Sequence, residues 1–254
     1  GEIYYGIKTG LNEAFVIDCE TRNRLVAESA NSAEIIKPFL LGRDIKRYQS
    51  PKADKYLIFT RRGTDINRYP AILKHLERFK ERLMPRPKNF KGDNWKGRKP
   101  GNYKWFEIQD TVDYYEKFEK PKILYAEIAL RGQFTFDSNN NYAETTCYLM
   151  DCDSSYLLGI LNSKLFTYFF SKMSSIIRGG YFRWKRQYIS QIPIPPSPKP
   201  CPLSPLVSRM LDLQKRFAEA KLDLACLGTG NAFHFQDKKK VAENIGLRRR
   251  VRLF

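Results

Sequence analysis

Ile177-Arg178-Gly179-Gly180-Tyr181-Phe182-Arg183-Trp184-Lys185-Arg186 interleaves cations and aromatic rings around a glycine pair. Glycines at 179 and 180 let the backbone approach a partner closely, because neither carries a Cβ. Arginine and lysine reach phosphates and base edges, and neighbouring rings stack on bases or guanidinium groups. The prolines of Ile192-Pro193-Ile194-Pro195-Pro196 then mark a rigid, extended exit. Upstream, Tyr156 to Lys172 is apolar on nearly every side, which predicts a core helix capped by Ser154 or Ser155. A buried helix, a basic aromatic stretch and an extended exit therefore follow one another.

Working outward, Ile3 to Tyr5 and Phe15 to Ile17 read as short strands, and Tyr56 to Phe59 as a buried one. Ser32 to Leu40 reads as a short helix stopped near Pro38, followed by the basic segment Leu41 to Tyr48. Ile72, Leu76, Phe79 and Leu83 recur at helical spacing after Pro70, and Pro85 and Pro87 end that helix. Arg86 to Lys104 has no period and reads as a loop. Lys122 to Ile128 is a strand, while Gln133 to Phe136 and Thr145 to Leu149 flank Ser138-Asn139-Asn140-Asn141 as a hairpin would. From Ser204, the positions Leu206, Met210, Leu213, Phe217, Ala220 and Leu224 form a heptad seam, suited to a partner helix or to the helix's own domain. Beyond it, runs such as Lys238-Lys239-Lys240 and Arg248-Arg249-Arg250 read as a disordered basic tail. The expected class is α+β: a mixed α/β domain over 1–200 with small twisted sheets, a long C-terminal helix as spacer over 201–226, and a tail over 227–254. The opening at Gly1, running at once into a strand, suggests a piece of a longer protein.

Charge narrows the function. Lys and Arg number 45 against 27 Asp and Glu, a net +18 that implies a polyanionic partner, nucleic acid before acidic membrane. The apolar run Tyr156 to Phe170 is broken by Asn162, Ser163 and Lys164, so it predicts no membrane span. Five cysteines without a CxxC pair, and His75 far from His234, predict a reduced cytoplasmic protein without a zinc site. The sequence shows no Gly-rich cofactor loop after a strand, no Asn/Asp-Pro-Pro-aromatic motif, no P-loop and no catalytic triad. Asp110, Asp113, Glu116 and Lys117 resemble a metal-dependent nuclease set, but their spacing fits the charged face of a helix better.

No catalytic or metal-binding residue is therefore expected. Candidate nucleic-acid contacts are Arg178, Arg183, Lys185 and Arg186, supported by Arg61, Arg62, Lys104 and Arg131, with Gly179 and Gly180 shaping the loop. Lys8, Lys46 and Arg47 are weaker candidates for phosphate. Two rival readings are a nuclease with an unrecognised metal site and a protein-interaction module using the Leu206–Leu224 seam.

Several segments, in order, resemble the TaqI-like C-terminal specificity domain. They are Gly6-Ile7-Lys8-Thr9-Gly10-Leu11-Asn12-Glu13-Ala14-Phe15-Val16-Ile17-Asp18, Ile36-Lys37-Pro38-Phe39-Leu40 with Gly42-Arg43-Asp44-Ile45, and Glu119-Lys120-Pro121-Lys122-Ile123. The closing block is the most specific: Leu157 to Leu165, then Arg178-Gly179-Gly180-Tyr181, then Gln191-Ile192-Pro193-Ile194-Pro195. The resemblance spans residues 1 to 225. It implies a target-recognition domain that reads double-stranded DNA in the major groove and ends in a helical spacer. It also implies a parent adenine-N6 DNA methyltransferase, often fused to an endonuclease as a type IIG restriction enzyme. S-adenosylmethionine, with Mg2+ where cleavage occurs, would be bound by a catalytic domain outside this chain. The tail after Leu224 departs from the family by not continuing into a second helix.

Overall fold

The computed structural model describes the backbone of residues 1–227 and the side chains of residues 1–221. The tail expected after Leu227 lies outside the described residues. In chain order the N-terminal elements are β1 (Ile3–Tyr5), α1 (Asn12–Phe15), β2 (Val16–Ile17), α2 (Cys19–Glu28), α3 (Ser32–Ile35), β3 (Ile36–Leu40), β4 (Lys55–Ile58), α4 (Pro70–Glu77) and α5 (Lys80–Leu83). After a long irregular stretch come β5 (Lys122–Ala126), β6 (Ile128–Ala129), β7 (Phe134–Asp137), β8 (Tyr142–Ala143) and β9 (Cys147–Met150). The chain continues through α6 (Ser155–Leu161), α7 (Lys164–Met173), β10 (Ile176–Ile177), β11 (Tyr181–Arg183), α8 (Arg186–Ile189) and α9 (Leu203–Leu227). Two units result, Gly1–Leu211, which holds all of these strands, and Asp212–Phe254.

The strands form three small sheets, ordered β1-β9-β5-β7, β10-β11-β6 and β2-β4-β3-β8. With helices on their faces they make the expected α+β fold. β5, Lys-Ile-Leu-Tyr-Ala, is buried along its whole length, as a strand covered on both faces must be. Leu124 faces one core with Phe15, Phe39, Leu57 and Ile72. Ile123 and Tyr125 face a second core with Phe134, Leu158, Phe166, Phe170 and Trp184.

One charged pair sits inside. Lys122 Nζ lies 2.6 Å from the Asp137 carboxylate across the β5–β7 register, with both side chains fully buried. Asp137 also accepts from the Asn139 and Asn141 amides and from Asn141 Nδ2, so its lone pairs are satisfied. Burial holds the Lys122 ammonium below its ordinary pKa despite that partner.

The structure corrects several sequence expectations. Gln133–Phe136 and Thr145–Leu149 do not form a hairpin: β7 and β9 flank β5 on opposite sides. The Asp137 side chain gathers the Asn139–Asn141 turn, and β8 then leaves to pair in parallel with β3. Residues 32–40 are not one helix, because α3 ends at Ile35 and β3 begins at Ile36. Pro38 is tolerated in β3 for a geometric reason. Phe59 N–H donates to Ile35 O, so odd positions 35, 37 and 39 bond to β4 and Pro38 lies between them. Phe15 belongs to α1, not to a strand. The helix expected over Pro70–Leu83 is interrupted between Glu77 and Lys80, although Ile72, Leu76 and Leu83 are all buried.

Tyr156–Lys172 is likewise two helices. Asn162 Nδ2 donates to Phe134 O at 2.9 Å while its Oδ1 accepts from Phe134 N–H at 3.1 Å, so the side chain acts as a strand partner. Ser163 Oγ then accepts from Phe166 N–H and caps α7. That helix is not apolar-in all round, since Leu165, Tyr168 and Phe169 are exposed. No helix forms over 110–117 beyond one turn at Tyr115–Lys117. In α9, Val207 is buried and Leu211 packs on the second core. The seam residues Leu206, Met210, Leu213 and Phe217 are exposed instead. No helix among the described residues is long and apolar enough to cross a membrane.

Candidate nucleic-acid interface

The basic, glycine-paired stretch folds as a β-ribbon. β10 and β11 pair antiparallel, Ile177 opposite Tyr181, leaving Arg178-Gly179-Gly180 as the turn. Both glycines adopt the left-handed conformation, φ 87° and 79°, which explains the residue type at the tip. Gly180 N–H closes the turn on Ile177 O at 3.1 Å. β11 also pairs with β6, Phe182 opposite Ala129 and Arg183 opposite Ile128.

Trp184 fixes the ribbon to the body. Read in sequence as part of a basic surface stretch, it is 1% exposed. Its Nε1 donates to Ala129 O at 3.1 Å, and its ring stacks on Phe170 with centroids 3.9 Å apart. The exposed cations on either side are therefore carried by a rigid base.

Two open clefts flank this base. One, of about 700 Å³, lies between the ribbon and the turn after β3, and is lined by Arg43, Lys46, Gln133, Glu144, Thr146 and Tyr181 among others. The other, of about 570 Å³, is lined by Tyr5, Glu127, Thr145, Tyr148, Lys185 and Arg186. Between them, Glu127 N–H donates to Thr146 O. Burial pushes the Tyr148 phenol up to about 12 and raises Tyr125 well above its ordinary value. The charged groups lining the clefts are Arg43, Lys46 and Glu144 in the first and Glu127, Lys185 and Arg186 in the second. Arg183 spends part of its charge on Glu127 at 3.6 Å. Arg131, Arg178, Lys46, Lys185 and Arg186 make no ion pair among the described residues.

Of the expected cations, Lys46 lines the first cleft with Tyr181, Lys185 and Arg186 line the second with Glu127, the partner of Arg183, and Arg178 stands in the ribbon turn with Gly179 and Gly180. Arg61, Arg62 and Lys104 are not with them. Arg61 follows β4, at the end of β3 where Phe59 bonds Ile35, whereas Arg43 follows β3 at its other end, where Glu144 N–H donates to Leu40 O. Arg61 sits over the Tyr115 ring and Lys104 over Phe106. Arg62 turns inward, donating to the carbonyls of Asn102, Ile108 and Gln109. Arg47 is also engaged, donating to Asn162 O at 2.6 Å. Lys8 is exposed, and its backbone amide donates to Asp110.

Sequence reasoning passed over Arg43 and Gln133. The signals for Arg43 were the basic segment Leu41–Tyr48 and the family-like Gly42-Arg43-Asp44-Ile45, and for Gln133 the polar start of a strand. It also passed over Arg98, buried at 4% exposure within the segment read as a loop. Its guanidinium donates to the carbonyls of Leu83, Thr9, Glu107, Lys104 and Trp105 and so ties down that loop. The nuclease set disperses: Asp110 accepts from the Lys8 amide and Lys117 pairs with Asp151. Among the described residues no three His, Cys, Asp or Glu side chains are grouped as metal ligands would be.

Two open clefts, with Arg43, Lys46, Lys185 and Arg186 among their lining residues, thus flank the base of an anchored, glycine-tipped ribbon. The chain belongs to the family of TaqI-like C-terminal specificity domains, whose family model matches residues 37–194. That span runs from β3 through both clefts to the chain just beyond α8. A curated relative is the type II methyltransferase M.PaeR7I of Pseudomonas aeruginosa, 24% identical over 197 residues, which cover 75% of this chain and 31% of the relative. Among solved structures, the chain is similar to the type IIL restriction-modification enzyme MmeI in complex with DNA. That match has a TM-score of 0.56 and 15% identity, covering 87% of this chain and 28% of the other. This second likeness is one of fold. The chain spans less than a third of the length of either protein.

Proposed function

We propose that this chain reads a specific double-stranded DNA sequence on behalf of a restriction–modification adenine-N6 methyltransferase. The observation that carries the reading is the anchored Arg178-Gly179-Gly180 ribbon with its surrounding cations, inside the span matched by the specificity family. The net charge of +18 supports it, since phosphate contacts supply most of the affinity for duplex DNA. A two-stranded ribbon also fits the width of the major groove. Methyl transfer, S-adenosylmethionine, any Mg2+ and any type IIG cleavage belong to the catalytic portion of that parent, in the cytoplasm. Among the described residues no three acids, histidines or cysteines are grouped as metal ligands would be. The exposed seam of α9 takes a helix from the same assembly.

Charge removal at two places tests the reading. Arg178→Ala with Arg131→Ala is expected to weaken duplex binding and to lower the salt slope by about one for each phosphate no longer neutralised. Arg61→Ala with Lys104→Ala is expected to do neither to the same extent. The reverse order would move the interface to the other end of β3 and overturn the assignment.

A further inference from the structure

The outward face of the ribbon has the wrong chemistry for water. Ala129 and Phe182 point inward, and Phe182 packs with the core around Trp184. Their neighbours along the strands therefore point out, and these are Ile128, Leu130 and Tyr181, exposed by 48%, 52% and 40%, with the exposed Arg183 opposite Ile128. All three line the larger cleft. Surface strands ordinarily present polar side chains on this face, and a contiguous apolar patch marks a contact surface. The rim of the patch is cationic, with Arg43 and Lys46 in the cleft wall and Arg178 in the ribbon turn. The one acid of that cleft, Glu144, is already engaged by Asn12 Nδ2 at 2.7 Å and Thr146 Oγ1 at 3.3 Å.

The occupant must then be apolar at its centre and anionic along its edges. A major groove containing thymine has that pattern, because the C5-methyl group stands on the groove floor between two rows of phosphates. A protein partner would need an acidic rim around an apolar knob. We infer that Ile128, Leu130 and Tyr181 read thymine by packing on its C5-methyl group, with the surrounding cations on the flanking phosphates. This inference rests on the DNA-reading function proposed above and adds the base that is read.

Uracil is the probe, since it differs from thymine only by that methyl. The tightest duplex selected from a randomised library is compared with the same duplex carrying deoxyuridine in place of each thymidine. The wild-type chain is expected to bind about fourfold more weakly for each recognised methyl removed. Ile128→Ala with Leu130→Ala, both at exposed positions, is expected to bind the two duplexes alike while keeping its salt dependence. Equal wild-type binding to both duplexes, or a selected sequence without thymine, would overturn the inference and leave DNA reading intact. Failure to bind either duplex at low salt would instead sink the underlying function.

Discussion

Replacing Arg98 with methionine should cost this protein about 4 kcal/mol, although the residue lies in a loop. The guanidinium donates to the carbonyls of Leu83, Thr9, Glu107, Lys104 and Trp105 and is only 4% exposed. Burial pushes its pKa down to about 10, a cost of roughly 3 kcal/mol for keeping the charge. Each charge-assisted hydrogen bond returns roughly 1.5–3 kcal/mol. Even at the low end, the bonds outweigh the burial cost by about 4 kcal/mol. Methionine fills much of the volume but leaves those carbonyls without the donor. Urea denaturation at pH 7 should show the loss as a lower midpoint. Trypsin should cut faster within Arg86–Lys104, because Arg98 ties that segment to Thr9 and Leu83. A loss under about 1 kcal/mol, with unchanged cleavage, would refute the reasoning.

Other expectations follow from the same packing. Asp137→Asn should lose about 3–5 kcal/mol, because Lys122 is left charged and fully buried; adding Lys122→Met should recover part of it in the same denaturation assay. Asn162→Ala strands the Phe134 amide and carbonyl and should cost about 3 kcal/mol, lowering the thermal midpoint. His75 is buried, donates from Nε2 to Ala14 O, and has its pKa lowered below 6.5 chiefly by burial. The unfolded chain therefore takes up this proton first on acidification. The stability it contributes is present above about pH 6.5 and declines as the pH falls toward the folded value. A scan of thermal midpoint between about pH 7.5 and 5.5 should show that decline, and His75→Phe should flatten it.

Much of this was legible in the sequence because the signals were local. The apolar run from Lys122 read as a strand, and β5 forms there; the glycine pair at 179 and 180 read as shaping a loop among cations, and it forms the ribbon turn. Pairing was harder to read. A polar Ser-Asn-Asn-Asn turn between two apolar runs looks the same whether the runs pair with each other or with a third strand. Here β5 stands between them. The role of an arginine is equally hidden: Arg98 and Arg62 face carbonyls while Arg178 faces solvent, yet all three occur in basic loop sequence. Trp184 was misplaced for a related reason, since its stacking on Phe170 joins segments whose meeting no periodicity records. The cleft itself unites Lys46 of the turn after β3 with Tyr181 of the ribbon, a juxtaposition only the fold creates.

Selection of bound duplexes from a randomised library at about 50 and 200 mM salt, followed by sequencing, tests the central claim most directly. An enriched motif is expected, with affinity for the enriched duplex falling on the order of a thousandfold between the two salts for about six phosphate contacts. Arg178→Ala should blunt the enrichment. No retention of duplex DNA at the lower salt would contradict the account.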